Sequence, residues 1–214
     1  MENKDKIILD LCGGTGAWSE PYRKAGYDVR NITLPDYDII NWEFDEQWTE
    51  VRMRINRGEI YGILAAPPCT MFSLARTKTK KPRDLREGME CVRACLNIIW
   101  SVMEVKQDTR YKTLPLKFWA LENPKGMLEY FLGKPAFEFN PYDFGDQYQK
   151  RTCLWGHFNE PKKNPNKTNS QPLPKFDYMK SKDIHPEMFG KLTRQERRAI
   201  TPAGFAKAFF NSNP

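Results

Sequence analysis

"KIILDLCGGTGAW", residues 6–18, decides the fold. Ile7 to Leu11 is a run of strand length interrupted only by Asp10, and Cys12 to Gly16 is a glycine-rich turn. A short apolar run bounded by turn residues reads as a buried strand. Glycines at a strand-to-helix turn let the backbone approach a ligand, because no Cβ stands in the way. The spacing Gly13-Gly14-x-Gly16 is not the G-x-G-x-x-G of dinucleotide sites. The plain alternative is a tight turn with no ligand. "SEPYRKAGY", residues 19–27, then reads as a helix, with Ser19 as N-cap and Gly26 as its stop.

Strand and helix patterns keep alternating outward from this unit. "DVRNITL" has strand character, "DYDIINW" reads as a loop or short turn, and "DEQWTEVRMRINRG" as a helix ending at Gly58. "IYGILAA" is a buried strand, "LREGMECVRACLNIIWSVMEV" a long amphipathic helix and "LKFWALEN" a strand stopped by Pro124. "KGMLEYFLG" reads as a short helix and "KRTCLWGHF" as a strand. Such alternation predicts an α/β fold, a Rossmann-like doubly wound and mostly parallel sheet. Residues 1–157 form the expected catalytic core. Residues 158–190, rich in Pro, Lys and Asn, read as a basic loop, and 191–214 as a C-terminal helix returning to the core, with Pro202 near a helix start.

At 214 residues with 40% hydrophobic content, the chain is long enough for one domain with a core and is not of disordered composition. Its apolar runs are too short to span a bilayer, so no membrane partner is expected. The stretch "MENKDKIILDLC" lacks the pattern of a signal peptide, and a cytoplasmic location is expected. Five cysteines, two histidines and no C-x-x-C pair give a poor zinc set, so no metal is expected and reduced thiols are. A formal charge of +7 fits a polyanionic partner without requiring one.

Four short motifs carry chemistry. One is the glycine-rich turn, whose D-x-x-x-G-x-G spacing from Asp10 through Gly14 to Gly16 is that of turns holding S-adenosylmethionine. The others are "APPCTMFS" with Cys69, "ALENPKG" with Glu122 and Asn123, and "QKRTCLW" with Arg151. Taken singly, each has a plainer reading: Cys69 as a small core residue, Glu122 as a helix cap, Arg151 as a surface charge. Their order, each at a strand end, resembles the DNA cytosine-5 methyltransferases, and the resemblance covers most of the chain. A D/N/S-P-P-aromatic turn, the mark of amino-methyltransferases, is absent, because "APPC" puts a thiol where the aromatic would be.

The resemblance implies a mechanism and a cofactor, S-adenosylmethionine. Cytosine C5 is a poor nucleophile until a thiolate adds at C6 and leaves an enamine. Cys69 would be that nucleophile. Glu122 would bind N3 and the amino edge of the base. Arg151 would favour the thiolate and grip O2, with Pro68 and Asn123 beside them. Asp10, Cys12, Gly14, Thr15, Gly16 and Trp18 match the methionine-binding turn, and Asp38-Ile39 the pair that holds the adenine. Pro67 and Pro68 would touch the cofactor near its methyl, and Ile200 matches the family's last motif.

The chain departs from the family in four ways. The ribose acid is displaced to Asp36, Cys12 replaces an aromatic, Cys153 replaces a second arginine, and Arg197-Arg198 stand where Gly-Asn is usual. The region between Arg151 and the C-terminal helix is also too small for a usual recognition domain. This suits a phage-type or orphan member with minimal sequence preference, or one whose recognition comes from a partner protein. The expected nucleic-acid contacts are Arg76, Lys78, Lys80, Lys81, Arg83 and Arg86, following the nucleophile. The expected partner is DNA, with the cytosine flipped out or in a single strand, and the expected state a monomer. Two alternatives stay open: cytosine-5 methylation of RNA, and a non-catalytic S-adenosylmethionine- or DNA-binding subunit of a larger assembly.

Overall fold

The computed structural model describes residues 2–74, 82–105, 116–164, 173–176 and 179–214. Six strands are β1 (Ile7–Leu11), β2 (Asp28–Ile32), β3 (Ile60–Ala65), β4 (Phe118–Pro124), β5 (Phe137–Phe139) and β6 (Thr152–His157). The helices are α1 (Glu20–Lys24), α2 (Thr49–Asn56), α3 (Leu85–Glu104), α4 (Glu129–Leu132), α5 (Ser181–Ile184), α6 (Arg194–Ala199) and α7 (Ala203–Ser212). They build one sheet in the order β2-β1-β3-β4-β6-β5. The first four strands run parallel, and β6 lies antiparallel between β4 and β5. This is the expected doubly wound, Rossmann-like sheet with an antiparallel margin. Among the described residues, no helix is long and apolar enough to cross a membrane.

Each strand divides its side chains between two cores, because alternate residues face opposite sides of a sheet. Leu9, Leu11, Ile63, Ala65, Leu121, Cys153 and Trp155 pack on one face with α2 and α3. Ile8, Tyr61, Leu64, Phe118, Ala120 and Leu154 pack on the other with Trp18, Tyr22 and the α7 residues Phe205 and Phe209. Gly62 is required there. A Cβ on it would stand 2.3 Å from the Phe118 ring, which is itself walled in by Tyr22, Tyr61 and Phe209.

Three elements differ from the sequence reading. The C-terminal stretch is two helices, because Ile200 takes extended dihedrals and Pro202 cannot continue a helical ladder. A Thr193/Glu196 capping box starts α6. Residues 158–190 are not a uniform loop: they hold α5 and a 3-10 turn at Pro186–Met188. Gln149 also pairs through its backbone with Pro174 and Phe176. Residues 165–172 and 177–178 of that stretch lie outside the described residues. Strand β5 was not legible, being three residues long.

Candidate active site

The carboxyl ends of β1, β3 and β4 and the start of β6 share one edge of the sheet, where open α/β folds bind ligands. The glycine-rich turn leaves β1 with Cys12, Gly14 and Gly16 all at positive φ (55°, 55° and 71°). Gly14 and Gly16 adopt this at little cost, and Cys12 is an exception among L-residues. Asp10 lies fully buried beneath the turn. Ser19 Oγ donates to its Oδ2 at 2.5 Å, so Ser19 braces the acid instead of capping α1 through its side chain. Asn31 Nδ2 donates to the Gly14 carbonyl at 3.0 Å. A Cβ on Gly13 would stand 2.3 Å from Asn31 Oδ1 and 2.7 Å from Asp10 Oδ1, so the turn closes over these two oxygens only with glycine there. Both oxygens are buried with no hydrogen-bond partner, as is Trp18 Nε1. Burial pushes the Asp10 carboxyl up to about 6, against the Ser19 hydrogen bond and the charge of Arg23.

The remaining residues matched to the cofactor are placed unevenly. Thr15 is an exposed part of the turn. Trp18, 2% exposed, packs edge-on against Phe209 and tilted against Phe205, so its ring is core. Cys12 packs against the core cluster that contains Cys95 of α3. Asp38 spends its carboxylate on the next turn, accepting from Ile40 N at 3.0 Å and Asn41 Nδ2 at 2.8 Å. Ile39 is buried among Trp42 and Trp48, and Asp36 is exposed. Ile200 ends α6, half-buried.

Beyond β3, the chain runs into a braced loop. Pro67 is buried, and its carbonyl accepts from Asn123 Nδ2 at 3.0 Å; Pro68 is exposed. Asn123, buried at the tip of β4, thereby ties the two strand ends together. The Cys69 carbonyl accepts from the N–H groups of Phe72 and Ser73 (3.0 and 2.9 Å), a turn that holds the half-buried thiol at the edge. Arg83 donates to the carbonyls of Met71 and Ser73 at 2.7 and 2.8 Å. Its guanidinium clamps the loop, a role the sequence reading did not foresee. Arg86 is exposed on the first turn of α3. Arg76, Lys78, Lys80 and Lys81 lie outside the described residues.

Glu122 and Arg151 do not converge. On β4, Ala120 faces the α7 side and Leu121 the α3 side, so Glu122 follows Ala120. On β6, Leu154 faces the α7 side and Cys153 the α3 side, which places Arg151 with Cys153, opposite to Glu122. Arg151 Nη2 pairs there with Glu138 at 2.9 Å, with the Arg151 side chain 63% exposed. The cation on the side of Glu122 is Lys150, whose Nζ donates to the Arg198 carbonyl at 2.8 Å. The sequence reading missed Lys150. Counting strand parity between "LEN" and "QKR" was the signal that could have found it. Helix α6 closes this side, Gln195 Nε2 donating to Thr70 Oγ1 at 3.3 Å.

Burial pushes the Cys69 thiol up; Lys150 and then Arg198 pull it back, and Glu122 adds to the rise. Burial likewise raises Glu122, opposed by Lys150. The edge thus offers a thiol, a carboxyl biased toward its neutral, hydrogen-donating form, and a cation facing both. Beside them, the glycine-rich turn covers two buried oxygens, Asp10 Oδ1 and Asn31 Oδ1. Among the described residues no group of His, Cys, Asp and Glu is arranged to hold a metal ion.

No protein-family model matches the chain. It is similar to the type II methyltransferase M.AquIA of Picosynechococcus sp., at 27% identity over 146 residues, covering 61% of this chain and 53% of that protein. The chain therefore spans about half the length of the curated relative it matches. Among solved structures it is similar to a mutant of Spodoptera frugiperda DNMT2, with a TM-score of 0.36 and 16% identity over 80% of this chain and 55% of that one.

Proposed function

We propose that this chain is an S-adenosylmethionine-dependent methyltransferase that acts on C5 of cytosine in DNA. The observation that carries the reading is the meeting, at one sheet edge, of the Cys69 loop and Glu122 with a glycine-rich turn floored by unpartnered buried acceptors. The similarity to a type II methyltransferase supports the same class. The turn fits the cofactor: Gly14 and Gly16 take positive φ and present backbone without side chains at the sheet edge, where Gly14 and Thr15 are exposed, over a floor made by Asp10 and Asn31. Asp10, Gly14, Thr15 and Gly16 would hold it, with Pro67 and Pro68 near the reacting end. When bound, it supplies an electrophilic methyl group.

The chain's own residues do the rest. Cys69 Sγ adds to C6 of a cytosine flipped out of its stack, making C5 nucleophilic. Glu122, its carboxyl biased toward the neutral form by burial, donates to N3 and quenches the negative charge that develops on the ring. Asn123 positions the loop through the Pro67 carbonyl. After transfer, the C5 proton leaves to solvent and Cys69 is expelled. With so short a segment between β6 and α6, sequence preference is short or supplied by another chain.

The test is a covalent trap. The protein, S-adenosylmethionine and duplex DNA carrying 5-fluorocytosine are combined and run on a denaturing gel, with Cys69→Ala alongside. Fluorine cannot leave as a proton, so a shifted band is expected for the native chain and none for the variant. No band on DNA, with an authentic enzyme trapped in parallel, overturns the DNA reading, and a band on fluorinated RNA instead reassigns the substrate.

A further inference from the structure

We propose that Lys150, held by the Arg198 carbonyl at the end of α6, is the cation that activates Cys69, in place of Arg151. This rests on Cys69 being the nucleophile. The parity of β6 puts Arg151 with Cys153, on the side away from Glu122, whereas the charge of Lys150 acts on both Cys69 and Glu122. Arg151 is engaged there with Glu138, which also pairs with Lys125 at 2.9 Å. Lys150 spends one of its three ammonium donors on Arg198, at 2.8 Å, and the bond fixes where its charge sits.

The charged groups facing Cys69 are Glu122 from β4, Lys150 from the segment entering β6, and Arg198 from α6. Glu122, Cys69 and His185, which follows α5, are the groups that feel Lys150. Burial, together with Lys150 and Arg197, lowers His185, which favours its neutral form, and Glu187 opposes this. Lys150 is the strongest of the influences that favour the thiolate. As the thiolate forms, the Cys69 proton passes to water and the negative sulfur stays opposite the ammonium. The design couples α6 to the nucleophile, because displacing the last turn of α6 moves the anchor of Lys150.

The test measures alkylation of Cys69 by iodoacetamide against pH, read by mass spectrometry on the peptide that contains it. No methyl donor or nucleic acid is present. Lys150→Gln keeps a donor for the Arg198 carbonyl without the charge, and Lys150→Met removes both. Each should move the alkylation midpoint up by about half a unit to one unit, slowing the reaction at pH 7.5 by about 3- to 10-fold. Lys150→Arg should restore the native profile and Arg151→Met should overlay it. A Lys150→Gln profile that overlays the native one, or an Arg151→Met profile that shifts as far, overturns the proposal. Circular dichroism separates a shifted profile from a misfolded variant, and Lys150→Gln decides if Lys150→Met does not fold. If the profiles shift as expected and the fluorocytosine trap fails on both DNA and RNA, the electrostatic role stands and the methyltransferase reading falls.

Discussion

Replacing Asp10 with Asn should stabilise the protein by an amount that grows with pH. Asp10 is fully buried, with one oxygen held by Ser19 and the other unpartnered. Its pKa is raised from 3.8 to about 6, chiefly by burial. A raised carboxyl is no burden below the unfolded value of 3.8. Its penalty builds between 3.8 and 6 and is complete above 6, where the folded state must carry the charge. A shift of that size corresponds to about 3 kcal/mol in full, of which about 1.4 kcal/mol develops between pH 5 and pH 8. Asparagine never ionises, so it carries no such penalty at any pH. Urea denaturation of both proteins at pH 5, 6, 7 and 8 should show the stability gap widening by about 1.4 kcal/mol and flattening above pH 7. Asp146, also raised to about 6 by burial, is common to both and cancels in the difference. A gap that stays constant or narrows with pH would refute the reasoning. A fold that keeps an acid at such a site does so against its own stability, which is the pattern of a residue kept for a ligand. Calorimetry with S-adenosylmethionine should accordingly show weaker binding to Asp10→Asn than to the native chain.

Asn123→Ala removes the buried hydrogen bond to the Pro67 carbonyl and leaves that acceptor unpaired. It should cost about 1–3 kcal/mol in urea denaturation, and Cys69 should alkylate faster as its loop loosens. Gly62→Ala forces a methyl into the Phe118 ring, a contact of 2.3 Å in a packed aromatic cluster. Overpacking of this kind costs about 1–3 kcal/mol, and at about 2–4 °C per kcal/mol the melting temperature should fall by about 2–12 °C in a thermal scan.

The parallel core of the sheet was legible because each of its strands is a short apolar run bracketed by turn residues, a pattern local to the chain. Helix α3 announced itself by apolar residues at helical spacing; the structure adds the cap Asp84, whose carboxylate accepts from the N–H groups of Arg86 and Glu87. The cysteine at the tip of β3 and the acid at the end of β4 were legible because a thiol and a carboxyl are unusual at the ends of buried strands. The antiparallel direction of β6 and the pairing of Phe137–Phe139 with it were not, since strand direction depends on partners distant in sequence.

Three assignments depended on tertiary contacts. Arg83 became a clamp because two carbonyls of a turn lie within its reach. Trp18 became core because α7 folds back across it. Arg151 was turned away from Glu122 because it follows the face of Cys153, where it pairs with Glu138. Sequence by itself determined which chemical groups stand at the ends of which strands, since period and turn chemistry are properties of consecutive residues. Which partners two adjacent cations take, Glu138 for Arg151 and the Arg198 carbonyl for Lys150, was decided only by the tertiary structure. That depends on the pairing of β4 with β6 and on the α6 carbonyl that holds the chosen ammonium, and neither partner is near it in the chain.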